Sequence, residues 1–231
     1  MENIFYEIRW SFTSELGYID INRYCTSFKG EVYEIDYEQE IKGISDTALE
    51  KKIGQIFVDF IHVDLARFHG YKLVDVSDVN RHALQLIGQI YDFKLDQFNE
   101  DILDHYDGFF DGTDICIVKR VELIASHRNK GIGTRIMKDI YYRFNRASLM
   151  VLKVFPLQFE LALRNKKEDE LTQWDKLLDL KSLELDEEKA FYLLKAFYQK
   201  VGFVHINGYD ELMFLNPEDH NSKIEEVEFY Q

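Results

Sequence analysis

The chain has 231 residues, 46% of them hydrophobic and 30% charged, and its 28 basic and 42 acidic side chains leave a formal charge of −14. This is the composition of a globular chain of one generous domain, and a field of that sign repels phosphate backbones and anionic lipid surfaces, which argues against nucleic acid or a membrane as partner. The longest unbroken hydrophobic run is five residues, 190–194, against the roughly 20 that a spanning helix needs, so a transmembrane protein is not expected.

The opening segment, MENIFYEIRW, has no basic stretch leading into an apolar one, so no secretory leader is expected and the cytoplasm is the default location. Cys25 and Cys116 stand 91 positions apart and match neither a disulfide framework nor a zinc pair; reduced, mostly buried thiols are expected. Pro156 and Pro217 are the two prolines, no Ser/Gly-rich linker or internal repeat occurs, and residues 1–231 read as a single domain.

In chain order, strands are predicted over 31–37 and 53–65, the second with Ile56, Val58 and Phe60 on one face. Ser77 reads as the N-cap of a helix over 78–91, where Ala83, Leu86, Ile87 and Ile90 recur at helical spacing. Residues 104–114, DHYDGFFDGTD, read as a turn-rich loop; an EF-hand alignment on Gly112 fails because Phe109 and Val118 fall where oxygen ligands are required. A strand over 115–125, the loop SHRNKGIG and a helix with the stripe Ile132, Ile136, Met137, Ile140, Tyr141 and Phe144 follow, then a strand over 149–155. Residues 157–185 are charged and mostly helical in pattern, with Leu161, Trp174, Leu177 and Leu178 as apolar elements, and read as an insertion or lid. A helix over 186–201 carries Ala190, Leu194, Phe197 and Val201 on one face and stops at Gly202; short strands over 203–206 and 211–215 close the core. The alternation of strand and helix is that of an α/β layer structure.

The most informative stretch is 121–133, VELIASHRNKGIG, where a strand runs through Arg128-Asn129-Lys130-Gly131-Ile132-Gly133 into an amphipathic helix. Such a junction aims unpaired N–H groups and the positive end of the helix dipole at one point, which suits phosphate. Glycine permits close backbone approach, and Arg128 and Lys130 add positive charge. Taken alone, the G-x-G pair reads first as a plain tight turn. The P-loop pattern is absent, and G-x-G-x-x-G fails because Ile136 takes the third glycine position. A G-x-S-x-G elbow, an H-E-x-x-H helix and ligand spacing among the seven histidines are also lacking, so no metal site is expected.

At these residues the chain resembles the GNAT superfamily of acetyl-CoA-dependent N-acetyltransferases. Arg128, Gly131 and Gly133 fill the family's [RQ]-x-x-G-x-[GA] loop, and Tyr198, Gly202 and Phe203 fill its Tyr-x-x-x-Gly-Phe helix end. The resemblance covers 115–156 and 186–216, leaving 1–110 as an N-terminal elaboration, 157–185 as a helical insertion and 217–231 as a tail. It implies a GNAT-like α/β fold with a mixed sheet, acetyl-CoA as co-substrate, and direct attack of a primary amine on the thioester in a ternary complex. It further implies that backbone groups of Leu123, Ile124 and Ala125 pair with the pantetheine arm, and that the amides of Asn129, Lys130, Gly131, Ile132, Gly133 and Thr134 hold pyrophosphate. Where many members carry Asn about seven positions before the tyrosine, this chain has Phe191.

An amine with a pKa of about 10.4 is mostly protonated at neutral pH, so a base helps generate the nucleophile. Glu122 is the candidate, since it faces the opposite side of its strand from Val121 and Leu123; pairing with Arg120 or Lys119 is the competing role. Tyr198 is the candidate acid toward the departing thiolate, with plain aromatic packing as its alternative. The insertion at 157–185 and the helix at 78–91 are expected to frame the acceptor, a small-molecule amine or a protein amine. A catalytically silent acyl-CoA-binding or protein-interaction module is the rival reading. With 15% aromatic residues, a homodimer interface is as compatible as a core.

Overall fold

Period-two alternation divides the apolar side chains of each central strand between two faces, and each face is covered by its own set of helices. The computed structural model describes residues 4–12, 21–37, 49–78, 81–108, 110–160 and 166–218. Strands β1 (Ile4–Phe12), β2 (Cys25–Asp36) and β3 (Leu49–Ile61) form an antiparallel meander. Helices α1 (Val63–Phe68), α2 (Leu73–Asp78) and α3 (Arg81–Ile90) follow, then a hairpin of β4 (Tyr91–Asp92) and β5 (Gln97–Phe98), and α4 (Glu100–His105). The rest comprises β6 (Ile115–Leu123), α5 (Ile132–Phe144), β7 (Leu149–Lys153), α6 (Gln173–Leu178), α7 (Glu187–Lys200) and β8 (Leu212–Leu215). Six of these strands form one mixed sheet in the order β1-β2-β3-β6-β7-β8, antiparallel throughout except for the parallel pair β6 and β7. This is a mixed α/β architecture with a mostly antiparallel sheet, and no described helix is long and apolar enough to cross a membrane.

Cys116 and Val118 of β6, Met150 and Leu152 of β7, and Met213 and Leu215 of β8 join the core under α5 and the end of α7. Their alternate neighbours, Ile115, Ile117, Leu149, Val151, Leu212 and Phe214, join a second core with α1 to α4. Burial on both faces explains why these strands read as unbroken apolar runs.

Several boundaries differ from the sequence reading. The strand expected over 53–65 stops at Ile61, because Val63 and Ala66 are both fully buried at helical spacing in α1. Ser77 lies inside α2, whose Leu73 and Val76 form its buried stripe, so it is not the cap of the next helix, and α3 starts at Arg81. The segment 104–114 begins as the end of α4, and its far end is tied to α1: the Asp64 carboxylate accepts from Thr113 N (3.1 Å) and Thr113 Oγ1 (2.7 Å), and Asp114 accepts from Asp64 N (3.0 Å). The strand expected over 203–206 reduces to one bridge, Val204 to Phe214. Leu161, counted among the apolar elements of the insertion, lies outside the described residues. The strand β1, which the sequence reading left unassigned, lies at one end of the sheet.

Candidate functional site

β6 and β7 part company halfway. Their parallel pairing covers Ile115 to Val118 and Leu149 to Leu152. Beyond it β6 stays with β3 as far as Leu123, while β7 stays with β8 through Lys153, and Val154 N reaches Glu211 O at 2.7 Å. The divergence begins at a bulge, where Phe57 faces Arg120 but Val58 faces Val118, leaving Lys119 as the extra residue. A bulge bends and over-twists its strand, and here it turns β6 toward β3. Gly54 permits that approach, since a Cβ there would stand 2.8 Å from the Glu122 carbonyl oxygen.

At the end of the diverging strand, Ile124 donates to Ile53 O (2.9 Å) and its carbonyl accepts from His127 N (3.0 Å). Backbone groups alternate across an antiparallel strand, so Leu123 is turned the other way, toward the opening, where Arg128 Nε takes its carbonyl at 3.1 Å. Of the three residues expected to line a pantetheine arm, Ile124 is committed to its own chain through both backbone groups, and the Ala125 carbonyl accepts from Arg128 N at 3.3 Å. The cleft side of the stretch is the N–H of Leu123.

The loop then turns through two left-handed residues, Asn129 (φ 61°) and Gly131 (φ 74°), and α5 begins at Ile132, inside the stretch that the sequence pattern assigns to the loop as far as Gly133. Gly131 has open space where a Cβ would stand. Among the described residues, Arg135 carries the first α5 amide with a backbone acceptor, Gly131 O at 3.2 Å. The amides of Ile132, Gly133 and Thr134 therefore belong to the unpaired first turn that favours anions. At Gly133 a Cβ would sit 3.4 Å from the Phe197 ring, so α5 and α7 approach each other at this point.

Arg128 does not act as a free phosphate arm. Besides Leu123 O its guanidinium donates to Leu178 O and Ser182 Oγ (3.4 Å), and burial pushes its pKa down. It thus caps the C-terminal end of α6 with positive charge, where the helix dipole favours it, and ties the loop to the insertion. Lys130 stays exposed.

Glu122 is buried, only 5% exposed, on the face opposite Val121 and Leu123 as expected. Oε1 accepts from Arg120 Nη1 (3.1 Å) and Oε2 from Trp174 Nε1 (2.7 Å), and Arg120 also pairs with Glu160. Lys52 sits 5.2 Å from the Trp174 ring centroid and pairs with Glu31 at 2.6 Å, which helps hold the Glu31 carboxyl down at about 2. The insertion therefore closes over Glu122 at one end and Arg128 at the other. Helix α3, also expected to frame the acceptor, packs Ala83, Ile87 and Ile90 into the second core; among the described residues no hydrogen bond or ion pair joins it to Glu122 or to the loop.

Tyr198 packs with Phe197 and Phe203, ring centroids 5.3 and 6.1 Å apart, at the end of α7. Burial pushes its phenol up to about 12, so it remains protonated across the physiological range. Among the described residues no hydrogen bond joins it to Glu122. Phe191, at the position where an Asn is usual, meets the Phe155 ring edge-on at 6.1 Å.

The sequence reading missed His127. It is 4% exposed, with Nε2 2.7 Å from Glu34 Oε2 and Nδ1 2.9 Å from Ser126 Oγ, and it pins the root of the loop to β2. Its place next to Arg128 was the available signal.

No family model matches the chain, no curated protein matches it, and no solved structure matches it.

Proposed function

We propose that the chain is a GNAT-like N-acetyltransferase that moves an acetyl group from acetyl-CoA to a primary amine. The observation that carries this reading is the opening between β6 and β7 directly upstream of the Arg128–Gly133 loop and the start of α5. An extended thioester arm fits along the unpaired side of β6, with the Leu123 N–H beside it and the amides of 129–134 around a pyrophosphate. The acidic surface favours ammonium-bearing acceptors, small or on a protein.

In the step proposed, the neutral amine nitrogen bonds to the thioester carbonyl carbon and the C–S bond breaks. Glu122, oriented by Arg120 and Trp174, takes the amine proton; Tyr198 gives its hydroxyl proton to the departing sulfur. The engagement of both Glu122 oxygens also supports a second reading, a catalytically silent acyl-CoA-binding or protein-interaction module that kept the opening without a working base.

Calorimetric titration with acetyl-CoA tests the site. Saturable binding is expected, with affinity falling about tenfold or more in Gly131→Asp, which sets a carboxylate and a strained left-handed side chain against the phosphates. Absence of binding overturns the acetyltransferase and leaves a protein-interaction module. Binding without thiol release across a panel of amines selects the silent module.

A further inference from the structure

β1 is an edge strand whose sequence is its own complement. Among the described residues β2 is its sole strand neighbour, and all nine residues pair in unbroken register from Ile4↔Asp36 to Phe12↔Phe28. A long, regular edge presents backbone donors and acceptors to any passing strand, and natural chains blunt such edges with bulges, proline or charge. β1 has no bulge and no proline; its charges are Glu7 and Arg9, placed symmetrically about Ile8. Arg9 is held at the edge by Glu7 (3.0 Å) and Glu50 (2.7 Å), over the Tyr33 ring.

An antiparallel copy related by a two-fold axis at Ile8 sets Glu7 opposite the partner's Arg9 and Arg9 opposite the partner's Glu7. It also sets Tyr6 opposite the partner's Trp10, and Ile4 opposite the partner's Phe12. Apolar residues occupy every even position, so the apolar rows of both copies fall on the same face, and Phe12, 63% exposed beside Phe28, is covered by the second copy. A slip of two residues puts Glu7 against Glu7 or Arg9 against Arg9, and a slip of one residue sets apolar rows against polar ones. The charges that would deter a foreign strand therefore select this chain's own.

We propose that β1 pairs with β1 of a second copy about a two-fold axis at Ile8, joining two six-stranded sheets into one continuous sheet. The inference is independent of the acyl-transfer reading. Each chain carries a formal charge of −14, so copies repel at long range, and association is to be measured at about 0.15 M salt, where screening acts over about 8 Å.

Light scattering after size exclusion, on the full chain at tens of micromolar, provides the test. The wild type is expected to show twice the chain mass. Arg9→Glu and Glu7→Arg, each folded by circular dichroism, are expected to be monomeric, with the dissociation constant raised about tenfold or more. Mixing the two variants restores the dimer, because the two acids of one chain then face the two arginines of the other. A monomeric wild type, single variants that dimerise as the wild type does, or a mixture that stays monomeric overturns the proposal.

Discussion

The two halves of β6 follow opposite rules. From Ile115 to Val118 every side chain is buried and apolar, and the strand is paired on both sides. From Lys119 to Leu123 the strand loses β7, and its sequence becomes Lys-Arg-Val-Glu-Leu with the carboxylate of Glu122 buried. Burying Glu122 costs desolvation that an apolar side chain would not incur, and the bonds to Arg120 and Trp174 offset that cost more than they add to it. One half of the strand is built for stability. The other is built around an opening, at the one place where stability alone would select leucine or valine.

The contrast can be broken most sharply from its apolar half. Ile115→Ala removes a fully buried side chain shared with the second core and is expected to cost about 2–5 kcal/mol in urea unfolding, whereas Val121→Ala, half-buried beyond the bulge, should cost about 1 kcal/mol or less. Equal losses at the two positions would show that the bulge does not divide the strand energetically.

A smaller effect is expected where the insertion meets the polar half. Trp174→Phe keeps the aromatic packing but removes the donor to Glu122 Oε2, and should lower stability by about 1–2 kcal/mol in the same measurement. It should also speed amide exchange across Gln173–Leu178, since that contact spans 52 positions of sequence. Unchanged exchange would mean that Arg128 alone holds the insertion.

The smallest effects are pH-dependent and have opposite signs. Glu31, on the register row that runs through Gln55 to Glu122, has its carboxyl held at about 2, chiefly by Lys52. A depressed folded value gives stability that is fully present above the unfolded value of about 4.3 and is lost as pH falls toward 2. Tyr198 is raised to about 12, so its contribution is intact below about 10 and is lost as pH rises through 10 to 12. Glu31→Gln should flatten the acid limb of the stability profile and Tyr198→Phe the alkaline limb. Both are read from denaturation midpoints across pH.

How much was legible depended on how far each feature's causes lie along the chain. Helix α5 carries the predicted apolar stripe from Ile132 to Phe144, and α7 falls within one residue of its predicted span, with the Asp186 side chain accepting from Lys189 N at 2.9 Å as an N-cap. Both follow from local signals: a left-handed glycine, a cap, and apolar residues at helical spacing. The loop geometry around Gly131 was legible for the same reason. Ser77 misled because a good capping residue is equally able to sit inside a short helix when Leu73 and Val76 have a core to enter.

The sequence by itself determined the strand–helix–strand order from β6 through α5 to β7, the turn into α5 with its cluster of amides, and the side of β6 on which Glu122 stands, because each depends on dihedral preference and period within a few residues. Tertiary structure alone decided that β6 leaves β7 at Lys119, that Arg128 caps a helix some fifty positions downstream, and that Trp174 covers Glu122. Such choices are made by competition among partners distant in sequence: a carbonyl or carboxylate takes whichever donor the packed core brings within hydrogen-bond reach, and no local pattern encodes which one arrives.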